Sequence, residues 1–233
     1  MKPNSQIIAI GGGGFAQPEN PLMERYILAQ ARKRNPKVCF VPTATGDAPT
    51  YIAKFYAAFS KLGCHPTHLP VFERTPELAD LLLAQDVIYV GGGNTKSMLA
   101  VWREWQLPKY LRQALRSGTV LAGISAGAIC WFQMGITDSW ADRLMPLPCL
   151  GWLPGACCPH YDVEKDRRPA THDFVARGII PQTLALEDGT AAHFIGRKLL
   201  RIVSSRESAK AYRVRMSRDG IVETPLALKR LTR

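Results

Sequence analysis

The chain reads as an α/β protein with a mainly parallel central sheet and an antiparallel C-terminal extension. Three observations predict this. Short apolar runs alternate with helical stretches through the first half of the chain. Most of those runs are apolar, as strands of a sheet covered on both faces are. After about Pro181 the pattern changes to short strands joined by turns.

Taken in order, strands are expected at Gln6–Ile10, Val38–Val41, His65–Pro70, Val87–Val90 and Val120–Gly123. Helices are expected at Met23–Arg34, Tyr51–Leu62, Pro76–Ala84, Thr95–Trp102 and Leu107–Ser117. Such regular alternation implies a parallel sheet covered on both faces. The later strands are Leu184–Glu187, Ala191–Ile195 and Lys198–Val203, the first two joined by a turn at "EDGT". No repeat, low-complexity segment or Pro/Gly/Ser linker divides the chain, so residues 1–233 read as one domain.

With 46% hydrophobic and 21% charged residues in 233, the chain can bury a sizeable core and is neither disordered nor fibrous. Six cysteines without a CxxC pair read as reduced thiols, and no leader or membrane-length apolar run is seen, so a cytoplasmic protein is expected. Thirty Lys and Arg against 19 Asp and Glu give a net charge of +11. The basic residues concentrate at Arg197–Arg215 and Lys229–Arg233, without the stacking aromatics of an RNA-binding sheet. They read as a solvated face, and neither nucleic acid nor membrane is expected as a partner.

Three small-residue turns follow strands, and in an open α/β sheet ligands bind beyond the carboxyl ends of the strands. "IIAIGGGGF" and "YVGGGNTKSM" lack the spacings of dinucleotide and phosphate loops. Tight strand-to-helix turning is an equal account of Gly11–Gly14. "GISAG" at Gly123–Gly127 does match the G-x-S-x-G nucleophile elbow, and the strand before it and helix-compatible "AGAICWF" after it are what that motif requires. Ser125 is then the nucleophile. The backbone N–H of Ala126 is one expected oxyanion donor, with Gly92 and Gly93 supplying another.

A serine of ordinary acidity needs a base. Of five histidines, His65 and His68 lie early in the chain, and His172 and His193 read as surface helix and strand positions. His160 sits in "GACCPHYDVEKDRRP", an irregular stretch where packing does not account for it. Zinc held with Cys157 and Cys158 is the weaker reading, because adjacent cysteines chelate one ion poorly. No metal or cofactor is expected.

"VGGGNT" after a strand, "GISAGAICWF", "GITDS" and "CPHYD" together resemble peptidase E, the aspartyl dipeptidase family of serine peptidases, over nearly the whole chain. The resemblance implies a three-layer α/β sandwich of the class I glutamine amidotransferase type, with serine where those enzymes carry cysteine. It also implies a Ser-His-acid hydrolase that cleaves dipeptides after an N-terminal aspartate. The family's acid lies between serine and histidine, where Asp138 and Asp142 stand. Asp138 falls closest to the family spacing, with Glu164 and Glu187 as further candidates. For an acidic substrate side chain the resemblance points to Arg167 or Arg168, with Asn94 and Thr95 offering hydrogen bonds.

The expectation is therefore a serine dipeptidase, monomeric or homodimeric, acting on small peptides through Ser125, His160 and Asp138. Two rivals stand beside it: another acyl-transfer hydrolase on the same scaffold, such as one cleaving a cyanophycin-like acidic polymer, and a binding module in which Ser125 is inert.

Overall fold

A computed structural model describes residues 4–16, 20–140 and 143–232. The protein is α/β, built around two mixed sheets. The larger sheet begins with β1 (Gln6–Ile10), β2 (Lys37–Val41), β3 (His65–His68), β4 (Val87–Val90) and β5 (Val120–Ile124). These five pair in parallel, in the spatial order β1-β5-β4-β2-β3. β1, β2, β4 and β5 are almost wholly buried, which explains their unbroken apolar sequences.

Antiparallel strands from the C-terminal part extend this sheet. β10 (Thr190–Ile195) pairs antiparallel with β1, β11 (Lys198–Ser204) pairs antiparallel with β10, and β14 (Leu228–Arg230) adds to β11 in parallel. A second sheet of six strands has the order β13-β12-β9-β8-β6-β7. Its members are β6 (Phe132–Trp140), β7 (Arg143–Pro148), β8 (Leu153–Cys158), β9 (Thr183–Leu186), β12 (Ala211–Ser217) and β13 (Gly220–Pro225). Strand structure thus resumes at Phe132, well before Pro181. The pattern hid this because β6 carries exposed or half-buried Gln133, Met134 and Asp138 within one strand, and β7 contains Pro146 and Pro148.

Helices α1 (Leu22–Gln30) and α2 (Pro49–Phe59) cover one face of the larger sheet, over a core of Met23, Ile27, Phe55, Phe59, Phe40 and Tyr89. On the other face, α3 (Leu78–Leu83), α4 (Thr95–Glu104) and α5 (Leu107–Ser117) pack on a core containing Trp102, Leu111, Leu121 and Trp131. That core continues into Phe132, Leu153 and Leu184 of the second sheet, while α7 (Arg167–Ala176) packs on its far side with Val175, Tyr161 and Val214. α1 stops at Gln30, short of the expected Arg34, with Arg32 at φ 55° turning the chain out of the helix.

No helix among the described residues is long and apolar enough to cross a membrane. His193 is the clearest revision of burial. It lies on β10 under α1, 1% exposed, with Nδ1 2.6 Å from Tyr26 Oη and Nε2 3.0 Å from Gln6 Oε1. Burial, assisted by Arg201, pushes its pKa down to about 4, so it is a neutral core histidine and not a surface one.

Candidate active site

Ser125 stands between β5 and the short helix α6 (Ala126–Ile129), at φ 55° and ψ −110°. Few non-glycine residues tolerate that region, and it turns the side chain out at the strand end. The flanking glycines are required by close approach: an added Cβ on Gly123 would run into the Gly127 carbonyl, and one on Gly127 into the Val90 carbonyl. The elbow is tied to β1 by the Ser125 N–H, which donates to Ile10 O at 3.1 Å.

Ser125 Oγ lies 2.9 Å from His160 Nε2, and His160 Nδ1 lies 2.7 Å from Asp188 Oδ1. A carboxylate only accepts, so the proton of the neutral ring sits on Nδ1 and Nε2 is left to accept the serine hydroxyl. His160 follows β8 with φ 53°, held by its N–H on Gly11 O at 3.1 Å. Asp188 occupies the turn from β9 to β10. Its N–H donates to Asp162 Oδ1 at 2.9 Å, and Arg206 clasps both Asp162 Oδ2 and Asp188 O at 3.0 Å.

The loop Gly11–Gly14 assembles these parts. Gly11 N–H donates to Thr190 O, His160 N–H to Gly11 O, and Gly189 N–H to Gly12 O, all between 2.9 and 3.1 Å. Gly12 lies flat against the His160–Asp188 pair, so a Cβ there would overlap the Asp188 carboxylate. The first glycine run is therefore a brace for the histidine and the acid. Together with Gly13, Tyr51, Gly92, Gly93 and Ile124, the three side chains line an open cleft of about 390 Å³.

Asp138 is not on the histidine, and this corrects the expected acid. It lies on β6, 64% exposed, and faces Arg167 Nη2 at 3.8 Å. Glu164 is bound to Arg167 Nε at 2.6 Å, and Glu187 accepts the Lys210 N–H at 2.7 Å. Asp142 lies outside the described residues. The motif around Asp138 is local: Thr137 Oγ1 accepts the Ser139 N–H and pairs with its hydroxyl.

The expected substrate-binding side chains also have other partners. Arg167 is almost fully buried, with Nη1 on Ile136 O at 2.8 Å besides Glu164. Arg168 bonds Glu223 and lies over the rings of Tyr161 and Tyr212, 4.6 and 4.8 Å from their centres. Glu223 also accepts from Tyr161 Oη at 2.7 Å and lies 2.8 Å from His172 Nε2. This cluster anchors the residue next to His160. Asn94 caps α4 through Ser97 N–H and donates to Ser139 O, while Thr95 is buried against Thr137. Gly92 packs on Ser125, but its N–H points to Tyr51 Oη at 3.3 Å, and Gly93, at φ 131°, abuts Ala44.

His68 pairs with Tyr56 Oη at 2.9 Å, and Cys157 and Cys158 are buried free thiols. Among the described residues, no group of three or more His, Cys, Asp or Glu side chains is placed to hold a metal ion.

The sequence and the fold have known relatives. The model of peptidase family S51 matches residues 7–202. The chain is 51% identical over 228 residues to the uncharacterized peptidase YgaJ of Bacillus subtilis (strain 168), covering 97% of this chain and 99% of that protein. It is 28% identical over 173 residues to peptidase E of Actinobacillus pleuropneumoniae serotype 3, covering 70% of this chain and 73% of the relative. Among solved structures, a peptidase from an acI-B1 Actinobacterium superposes with a TM-score of 0.71 at 19% identity, covering 96% of this chain and 94% of that one, which supports the fold. The chain belongs to peptidase family S51.

Proposed function

We propose that the protein is a serine peptidase acting on short peptides, in which Ser125 is the nucleophile, His160 the base and Asp188 the orienting acid. The single observation that carries this reading is the continuous chain Asp188–His160–Ser125 at 2.7 and 2.9 Å, ending on a serine in strained elbow geometry. Ser125 Oγ attacks the scissile carbonyl carbon as its proton passes to His160 Nε2. The C–N bond then breaks, and His160 returns that proton to the departing amine. Water attacks the acyl-enzyme with His160 again taking the proton, and the acid product and free Ser125 are released. Asp188 holds the Nδ1 proton and stabilises the imidazolium. Ala126 N–H is the backbone donor nearest in sequence for the oxyanion.

Family resemblance implies selection of an N-terminal aspartate. That selection needs a cation for the side-chain carboxylate, and the described lining of the cleft holds no Lys or Arg. The proposal therefore stops at hydrolysis of short peptides. Purified protein is tested on dipeptides that vary at the N-terminal residue, with Ser125→Ala as the control. Release of free amino acids by wild type alone is expected, and equal turnover by Ser125→Ala contradicts the serine mechanism.

A further inference from the structure

Tyr51 lies in the first turn of α2, in a rigid setting. Its ring stacks on Phe15, with centroids 5.1 Å apart and planes at 23°, and meets Phe40 edge-on at 5.1 Å and 85°. Gly91 closes the third side, where an added Cβ would come within 2.9 Å of Tyr51 Cε1. This clamp delivers the hydroxyl to the wall of the cleft that holds Ser125, His160 and Asp188.

At that wall Tyr51 Oη accepts the Gly92 N–H at 3.3 Å. The bond occupies a lone pair and leaves the phenolic proton free to donate. Among the described residues no acceptor takes it. Gly92 is also the residue that packs on the nucleophile: an added Cβ there would sit 3.2 Å from Ser125 Cβ and 3.7 Å from Ser125 Oγ. Gly92, Tyr51 and Ser125 all line this one cleft. Burial raises the Tyr51 pKa above its ordinary value, so the hydroxyl stays protonated through neutral pH. Accepting from Gly92 polarises the O–H and strengthens it as a donor.

Resting on the reading of Ser125 as nucleophile, we propose that the Tyr51 hydroxyl is a catalytic hydrogen-bond donor to the oxyanion of the tetrahedral state, beside the Gly92 and Gly93 loop expected from the sequence to supply such a donor. The substrate's carbonyl oxygen gains charge as Ser125 attacks, and the Tyr51 hydroxyl, on the wall of the same cleft, donates to it. The ring is held by packing on every side named above, so the donor needs no reorganisation when the charge develops.

A fluorophosphonate carrying a fluorophore tests this without knowledge of the natural substrate. Its phosphonyl oxygen enters the same site: the Ser125 Oγ–P bond forms, the P–F bond breaks, fluoride leaves, and the serine proton passes to His160. Tyr51→Phe keeps the ring and removes the donor. The maximal labelling rate is expected to fall roughly 10- to 100-fold, with the half-saturating probe concentration unchanged. A Tyr51→Phe rate equal to wild type overturns the proposal, as does a change confined to half-saturation, which would make Tyr51 an anchoring group. Absence of any Ser125 adduct in wild type, judged against Ser125→Ala, overturns the nucleophile reading and the Tyr51 proposal with it.

Discussion

His160 and Asp188 are 28 residues apart in sequence and meet at 2.7 Å because Gly12 lets their two loops close against one backbone. The acid therefore comes from the turn between two strands of different sheets. Asp188→Asn keeps the shape but permits the wrong ring tautomer, and kcat on a cleaved dipeptide is expected to fall about 10³- to 10⁴-fold. Asp138→Asn is expected to leave kcat close to wild type. Steady-state kinetics on the two variants, side by side, settle which carboxylate serves the histidine.

The glycine brace makes a second, separable prediction. Gly12→Ala places a methyl group on the Asp188 carboxylate and should lower kcat by displacing the His160–Asp188 pair. Gly127→Ala drives its methyl into the Val90 carbonyl beneath the elbow and should cost about 1 to 3 kcal/mol of stability. Urea unfolding and kinetics on both variants check the contrast; a Gly12→Ala enzyme of full activity would show that the brace is not needed.

How much of this was legible in the sequence follows from how local each signal is. Ser125 is announced by neighbours two residues away on each side, whose small size the elbow needs. His160 emerges by elimination, although His193 was misjudged as exposed because a single polar residue on a strand does not reveal what covers it. Asp188 is the second residue of "EDGT", a sequence that already has a sufficient explanation as a turn, and nothing local distinguishes it from Glu187 beside it. Its partnership depends on the antiparallel pairing of β10 with β1, a contact between distant segments. Arg167 and Arg168 were misplaced for the same reason: their partners Ile136 and Glu223 lie on strands far along the chain.

The arginines give a third prediction. Arg167→Gln leaves the Ile136 carbonyl without its donor and should destabilise the fold by about 1 to 3 kcal/mol. Arg168 is partly exposed, and its loss should cost about 1 kcal/mol or less. Neither variant should alter the ratio of kcat/KM for Asp-Xaa and Asn-Xaa dipeptides. A selective loss on Asp-Xaa in either one would restore that arginine to the substrate site.

Glu24 supplies a prediction about pH. It is buried on α1, neither carboxyl oxygen has a partner from another residue among those described, and burial pushes its pKa up to about 7. A carboxyl whose folded pKa is raised stabilises the protein fully below its unfolded value of about 4.5, and that stability is lost as pH rises through 7. His193 acts in the opposite sense, stabilising above its unfolded value of 6.5 and losing that contribution as pH falls through about 4. The two largely offset each other across the same window. Glu24→Gln should unmask the histidine, so that its stability relative to wild type grows between pH 4.5 and 7.5 by on the order of 3 kcal/mol. Thermal midpoints across that range read the effect, and parallel profiles for the two proteins would refute it.

Covalent mapping tests the central claim, that Ser125 is a nucleophile activated by His160 and Asp188. Wild type, Ser125→Ala and Asp188→Asn are incubated with a fluorophosphonate and digested, and the modified peptide is identified by mass spectrometry. The account predicts one adduct, on Ser125, formed rapidly in wild type, much more slowly in Asp188→Asn and not at all in Ser125→Ala. An adduct at another residue, or labelling of Asp188→Asn at the wild-type rate, would contradict it.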